Sequence, residues 1–415
     1  MKKFFCVAGL LSFLCVWLFP SSEAQAVSQW ARKYKMNCQS CHTAFPRLNY
    51  FGEKFQRNGF QLPETEDGDE NKEKLSDTAF IDNLINMFGV RIAVSPASIT
   101  TNGLTRPDGT VTTRTSFGNT DWVQFFSAGS IFKNASIFIE TEITNTAIKN
   151  NWFTLGYHNL FGHSLLNLRV GKLGVMNWVG QSGRLRMIPN IQVEGWKNFL
   201  TAEGTTSAST TLQDQVAMGE PQPGIELYGY KGPFLYSVGV VNGNALTDNN
   251  EFKNVFGTLR LEATDGPIQG SSISGWGYWG TDTFSTVRRK DRFYRVSGAA
   301  NLRWKNWDVI GAFLHGRDSD WILSTAAPNR NTTHAASGQV GYLINPKWYA
   351  AAQYDYVTDT FKNTATTSNF YHKASPSIWF MPRENMRIGL VQRFEFKGRA
   401  GGRQHEFLVH ARAMF

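Results

Sequence analysis

The stretch "KMNCQSCHTAFPRLNYFGEKFQRNGF" sets Cys38, Cys41 and His42 in the order Cys-x-x-Cys-His. That spacing is the one used for covalent attachment of a c-type haem. Two thiols so spaced can add to the two vinyl groups on one edge of a porphyrin, and the adjacent imidazole then reaches the iron as proximal ligand. A redox disulfide and half of a zinc site compete for the same residues. The first prefers a thioredoxin-like βαβ setting and the second needs another pair of ligands. Neither companion is present, because the 415 residues hold 4 cysteines and the other two, Cys6 and Cys15, stand in the opening segment.

That segment reads as a secretory signal peptide over residues 1–26: Lys2 and Lys3 precede an apolar run over 4–19, and Ala24 and Ala26 occupy the positions a signal peptidase reads. The mature chain is expected to begin at Val27, with Cys38 and Cys41 as its whole thiol inventory. Lipidation of Cys15 is the alternative, and the bulk of Leu14 before it weighs against that.

The haem-bearing segment is expected over 27–63. Phe45, Leu48, Phe51 and Phe55 recur at helical spacing with Pro46 placed early, which predicts an amphipathic helix laying an apolar stripe against the porphyrin or against protein. The residue opposing His42 stays open. No second histidine occurs between Val27 and Phe80, so the segment itself offers Met36, a lysine, a tyrosine or water. Met87, His158 or His163 could serve only if the segment folds back on the rest of the chain.

Residues 64–77, "ETEDGDENKEKLSD", carry seven acidic side chains against two lysines. They predict a solvated acidic linker, with carboxylates that collect Fe2+ as the alternative. The domain that follows, 78–415, has no cysteine and no apolar run of membrane-helix length. Segments of alternating polarity, about nine to twelve residues long, recur in it instead, as transmembrane strands require. Turns such as Arg106-Pro107-Asp108-Gly109, Asn242-Gly243-Asn244 and Asp265-Gly266-Pro267 separate them.

The pattern predicts an all-β fold: a transmembrane antiparallel β-barrel of about sixteen strands, the small helical N-terminal segment acting as its plug. In "NMRIGLVQRFEF", Met386, Ile388, Leu390, Phe394 and Phe396 would face lipid, while Arg387, Arg393 and Glu395 face a wet lumen. "ASIFIETEIT" splits likewise into Ile137, Ile139 and Ile143 against Glu140 and Glu142. In "EFLVHARAMF", Phe407, Val409, Ala411, Ala413 and Phe415 oppose Glu406, His410 and Arg412. A final strand closing on phenylalanine resembles the signal by which outer-membrane barrels are recognised for assembly, so the outer membrane of a Gram-negative cell is the expected location.

The net charge of +9 becomes +8 when Lys2, Lys3 and Glu23 leave. For an exported barrel it indicates attraction to anionic surfaces or lumenal anions, not nucleic acid. Arg169, Arg260, Arg295, Arg303, Arg387 and Arg393 could bias a lumen toward anions, or brace its wall by pairing with Glu226, Glu262 and Glu395.

The stretch "ARKYKMNCQSCHTAFPRLNYFGEKFQRNG", with Cys38, Cys41, His42, Pro46, Leu48, Phe51, Gly52 and Gly59, is similar to the cytochrome segment of the fused cytochrome-porins in the outer membranes of iron-oxidising bacteria. The order of signal peptide, single haem motif and barrel resembles that family throughout. The resemblance implies oxidation of an extracellular donor, Fe2+ above all, through one covalently bound haem c. It implies too that the electron passes to a periplasmic carrier such as a soluble c-type cytochrome. Physics favours the same layout: ferric product is insoluble at neutral pH and best made outside, and one haem spans the membrane only from within the barrel. A solute porin with an accessory cytochrome and a conduit running outward to external acceptors are the rival functions.

Overall fold

Strands that alternate polar and apolar side chains satisfy their backbones in lipid only if the sheet closes on itself. The computed structural model describes residues 28–62, 73–74, 76–77, 80–81, 83–105, 110–117, 119–144, 147–179, 221–243, 252–284, 289–320, 330–361, 369–397 and 404–415. Its described residues form sixteen antiparallel staves closed into one barrel, as expected. They are β1 (Phe88–Thr105), β2 (Val111–Ser116 continued as Asn119–Phe132), β3 (Ala135–Thr144), β4 (Ile148–Tyr157), β5 (Asn167–Leu173), β6 (Gln222–Lys231), β7 (Phe234–Val241), β8 (Asn254–Glu262), β9 (Ser272–Phe284), β10 (Arg289–Trp304), β11 (Trp307–Asp318), β12 (Asn331–Asn345), β13 (Trp348–Phe361), β14 (Asn369–Phe380), β15 (Met386–Lys397) and β16 (His405–Met414). The two pieces of β2 pair with successive halves of β1 and so count as one stave. Closure comes where β16 meets β1, with Phe407 opposite Ile99 and Met414 opposite Arg91.

The faces divide as the alternation predicts. Outside, Leu259, Ile273, Ile225 and Phe313 stand more than half exposed, whereas Glu226, Arg260, Arg295, Asp308, Asp318 and Arg387 are buried inside. Aromatic side chains ring the outer rim beside the short turns: Trp307 packs on Tyr342 with centroids 4.6 Å apart and Trp348 on Phe380 at 4.8 Å. Amphipathic rings at that height suit a lipid interface. At the same end lie the tight turns 133–134, 232–233, 305–306 and 346–347, together with both termini of the sheet. At the opposite end the connections run longer, and the one after β5 starts by folding inward. Trp276 there donates its indole N–H to the Val175 carbonyl at 2.8 Å.

Residues 28–62 sit in the lumen at the short-turn mouth. Helix α1 (Gln29–Tyr34) leads through the Cys-x-x-Cys-His stretch to a hairpin of His42–Ala44 with Arg47–Leu48, then to helix α2 (Tyr50–Arg57). This corrects the helix expected from Phe45 onward: Phe45 and Pro46 form the hairpin turn, and the helix starts only after Asn49. The Asn49 side chain caps it by accepting the Gly52 N–H at 2.9 Å. The spacing of Phe45 and Leu48 thus belongs to a turn and a strand, and only Phe51 and Phe55 lie on the helix.

The expected signal peptide, the turn 106–109 and most of the acidic linker lie outside the described residues. At the linker's end Glu73–Lys74 pairs with Phe80–Ile81, and Lys74 meets Asp77 at 2.9 Å, both side chains exposed. The Asp265-Gly266-Pro267 turn is present, with Gly266 at φ +73°.

Candidate functional site

The mouth segment is held by charges whose partners lie far away in sequence. Arg47 forms a two-pronged ion pair with Asp308 of β11 and reaches Asn301 at 2.8 Å. Glu53, on α2, is clamped between Arg260 of β8 and Arg303 of β10. One turn on, Arg57 binds Glu262 at 2.7 Å and stacks its guanidinium 4.8 Å from the Tyr230 ring. Burial by itself pushes the Glu53 carboxyl up, but Arg260, Arg303 and Arg47 more than reverse it and hold it at about 2. Apolar contacts complete the seat. Phe60 stacks between Trp30 at 4.7 Å and Phe138 of β3 at 5.6 Å, and the Trp30 indole donates to the Ala128 carbonyl at 3.2 Å.

Within this segment a short 3-10 turn, Cys38–Ser40, is fixed by the Asn37 side chain, which accepts the Ser40 N–H at 2.9 Å. It points Cys38 and Cys41 into one cavity with His42. Trp30, Tyr34, Phe45 and Phe55 line that cavity from the segment, and Asn385 and Met414 from the barrel wall. Both thiols are free and half-buried. Burial raises each to about 11, with the Glu384 carboxylate adding to it at Cys38 and the neighbouring thiol adding to it at Cys41. Thiols so raised stay protonated at neutral pH.

The His42 ring lies edge-on to Phe45 at 5.6 Å, and its Nδ1 is buried without a hydrogen-bond partner of good geometry. Burial lowers its pKa to about 4, with the backbone of Pro46 and Arg47 offsetting part of the fall. The imidazole is therefore neutral at physiological pH, the form that ligates a metal. Two thiols and a neutral imidazole among aromatic rings are a fitting donor set for a covalently anchored haem, and the cavity, at about 40 Å³, would have to open to take a porphyrin. Among the described residues no cluster of three or more His, Cys, Asp or Glu side chains could hold a bare metal ion.

Two glycines of the motif region are explained by close approach. A Cβ on Gly52 would stand 2.2 Å from the Cys41 carbonyl oxygen, so only glycine lets α2 lie against the thiol-bearing loop. Gly59 adopts φ +66° directly beneath the His158 ring, where a Cβ would meet Nε2 at 2.1 Å.

Of the residues the sequence offered for the far side of the iron, Met36 lines the cavity. His158 does not, and both its ring nitrogens are engaged, Nε2 with Ser136 at 2.6 Å and Nδ1 with Tyr228 at 2.8 Å. Met87 and His163 also lie off the cavity. Met414, Asn385 and Trp30 escaped sequence reasoning. For Met414 the only available signal was its place in the polar-facing set of the last strand.

The lumenal arginines mostly brace the wall. Arg169 pairs with Glu226, Arg260 with Glu262 at 2.9 Å, and Arg295 with Asp318 at 2.7 Å. Arg393 pairs with Glu406 on the adjacent stave. Arg387 lies over the Trp379 ring at 4.4 Å, directly opposite Arg412 in the β15–β16 ladder.

No family model and no curated protein matches this chain. Solved structures do resemble it. The OmpF porin of Salmonella typhi, solved in complex with daunomycin, aligns with a TM-score of 0.57 at 13% identity over 85% of this chain and all of that one. An anion-selective porin from Comamonas acidovorans aligns at 0.55 and 11%, over 79% of this chain and 98% of the other. The outer membrane channel DcaP of Acinetobacter baumannii aligns at 0.54 and 10%, over 79% and 97%. At such identities the likeness is one of fold: the chain is a porin-like barrel. Its apolar outer belt and charged lumen suit the outer membrane of a Gram-negative cell.

Proposed function

We propose that this protein is an outer-membrane electron conduit that oxidises an extracellular donor, Fe2+, and delivers the electron to a periplasmic carrier such as a soluble c-type cytochrome. The observation that carries the proposal is the convergence of Cys38, Cys41 and His42 on one aromatic-lined cavity inside the mouth of a membrane barrel. Cys38 and Cys41 would hold a haem c there by thioether bonds, and His42 would ligate its iron. A haem held there would supply one-electron exchange, the chemistry that oxidation of Fe2+ to Fe3+ needs. Trp30, Phe45 and Phe55 keep water from the site, and the barrel insulates the path from lipid. The short turns beside the site support a periplasmic position for it, in reach of a soluble carrier, and Fe2+ would then meet it from the lumen after entering the barrel from outside.

The likeness to porins favours a second reading, a solute channel with an accessory cytochrome segment. The two separate cleanly. Purified protein should show a covalent c-type haem reduced rapidly by Fe2+, and should pass little current in a planar bilayer. Absence of covalent haem would overturn the conduit, and a large steady conductance with slow reduction would favour the channel.

A further inference from the structure

The cavity at Cys38, Cys41 and His42 is closed by the barrel itself, through Asn385 and Met414. Along β16 the positions Leu408, His410, Arg412 and Met414 face the lumen, so the Met414 side chain turns inward at the very rim. It is about nine-tenths buried, in one cluster with Phe45 and Phe55. Its backbone is not free to fray. The Met414 N–H donates to the Asn385 carbonyl at 3.0 Å, its carbonyl accepts from the Asn385 side chain at 2.7 Å, and the Phe415 N–H donates to Val90 at 2.7 Å. Of the other donors lining the cavity, the Tyr34 hydroxyl is committed to the Phe60 carbonyl at 3.0 Å. Met36 follows Lys35, which holds the left-handed conformation at φ 52°, and precedes Cys38 by two residues. It therefore lies on the thiol edge and would have to double back over the ring.

We propose that Met414 is the distal axial ligand, its sulfur opposing His42 across a haem anchored at Cys38 and Cys41. The inference rests on the haem reading of the site. A thioether opposite histidine raises the reduction potential. The potential of the haem is then set by the barrel's last stave, and the small mouth segment alone does not complete the site.

The test uses the full-length protein in detergent, with barrel assembly checked by the mobility shift between unheated and heated samples. The ferric wild type and Met36→Leu should both show the thioether-to-iron charge-transfer band at the red edge of the spectrum. Met414→Leu should lose it and show a lower midpoint potential, and Met414→His should give a bis-histidine spectrum. A wild type without the band, loss of the band in Met36→Leu, or its persistence in Met414→Leu would each overturn the proposal while leaving the haem reading intact. A wild type with no covalent haem would overturn the haem reading as well. Should Met414→Leu fail to assemble, the wild-type and Met36→Leu spectra still decide, because Met36 and Met414 are the two thioethers on the cavity among the described residues.

Discussion

Arg47 of the mouth segment and Asp308 of the barrel wall join as a two-pronged ion pair across 261 positions of sequence, both side chains out of water. Removing one partner of such a pair leaves the other charge buried and alone, at a cost of roughly 3–5 kcal/mol. Arg47→Ala is therefore expected to loosen the mouth segment without opening the barrel. Single-channel conductance should rise, and the segment should become cleavable by added protease while the barrel keeps its unheated gel mobility. Unchanged conductance would show that the segment does not depend on this pair for its seat.

Glu53 makes the same seat sensitive to acid. Its carboxyl is held at about 2 by Arg260, Arg303 and Arg47, below the value of about 4.3 for an unfolded glutamate. A pKa depressed on folding stabilises the docked state in full above the unfolded value and ceases to do so as pH falls through the folded one. Docking should hold at neutral and mildly acidic pH and weaken from about pH 4 toward about pH 2, read as conductance against pH. Glu53→Gln should bring higher conductance already at neutral pH. Release of the wild-type segment near neutrality would contradict this account.

Gly52 tests how tightly α2 must lie against the thiol loop. A methyl group there meets the Cys41 carbonyl oxygen at 2.2 Å, and backbone cannot yield as a flexible side chain can. Gly52→Ala should displace the loop and reduce covalent haem yield several-fold, measured by haem staining after denaturing electrophoresis. Overpacking of this kind costs about 1–3 kcal/mol. Alanine at Gly275, where a Cβ meets nothing within 4 Å, serves as the matched control and should leave the yield unchanged.

The two thiols should be separable by spectrum. Cys38→Ser or Cys41→Ser leaves one thioether and one intact vinyl group, which shifts the reduced haem bands to longer wavelength. The double variant should carry no haem through denaturation. Covalent haem surviving the double change would place the attachment elsewhere.

What could be read from the sequence followed from local periodicity. Alternation at period two marked Met386, Ile388 and Leu390 as outward and Arg387 as inward, and the ladder agrees because a barrel wall repeats that rule at every stave. Spacing alone likewise brought Cys38, Cys41 and His42 together. Local pattern failed at Phe45, where the helical spacing of aromatic residues continued through a hairpin turn. The stronger cue was Asn49, a good N-cap placed before the helix that does form. Nothing local could reveal Asp308 as the partner of Arg47, or Met414 as a wall of the Cys38 cavity. Those contacts arise only when sixteen staves close and bring the two ends of the chain to one rim.

Under the proposed function, that rim implies an order of events during biogenesis. The cavity at Cys38 and Cys41 is walled on one side by residues near the start of the chain and on the other by Met414, on the stave that seals the barrel against Arg91 and its neighbours. On the proposed haem reading, a porphyrin would be attached there most readily while the chain is still open. On that reading a chain that closes without haem would carry a seated but unloaded mouth segment, and later loading would have to disturb the Arg47, Glu53 and Arg57 contacts.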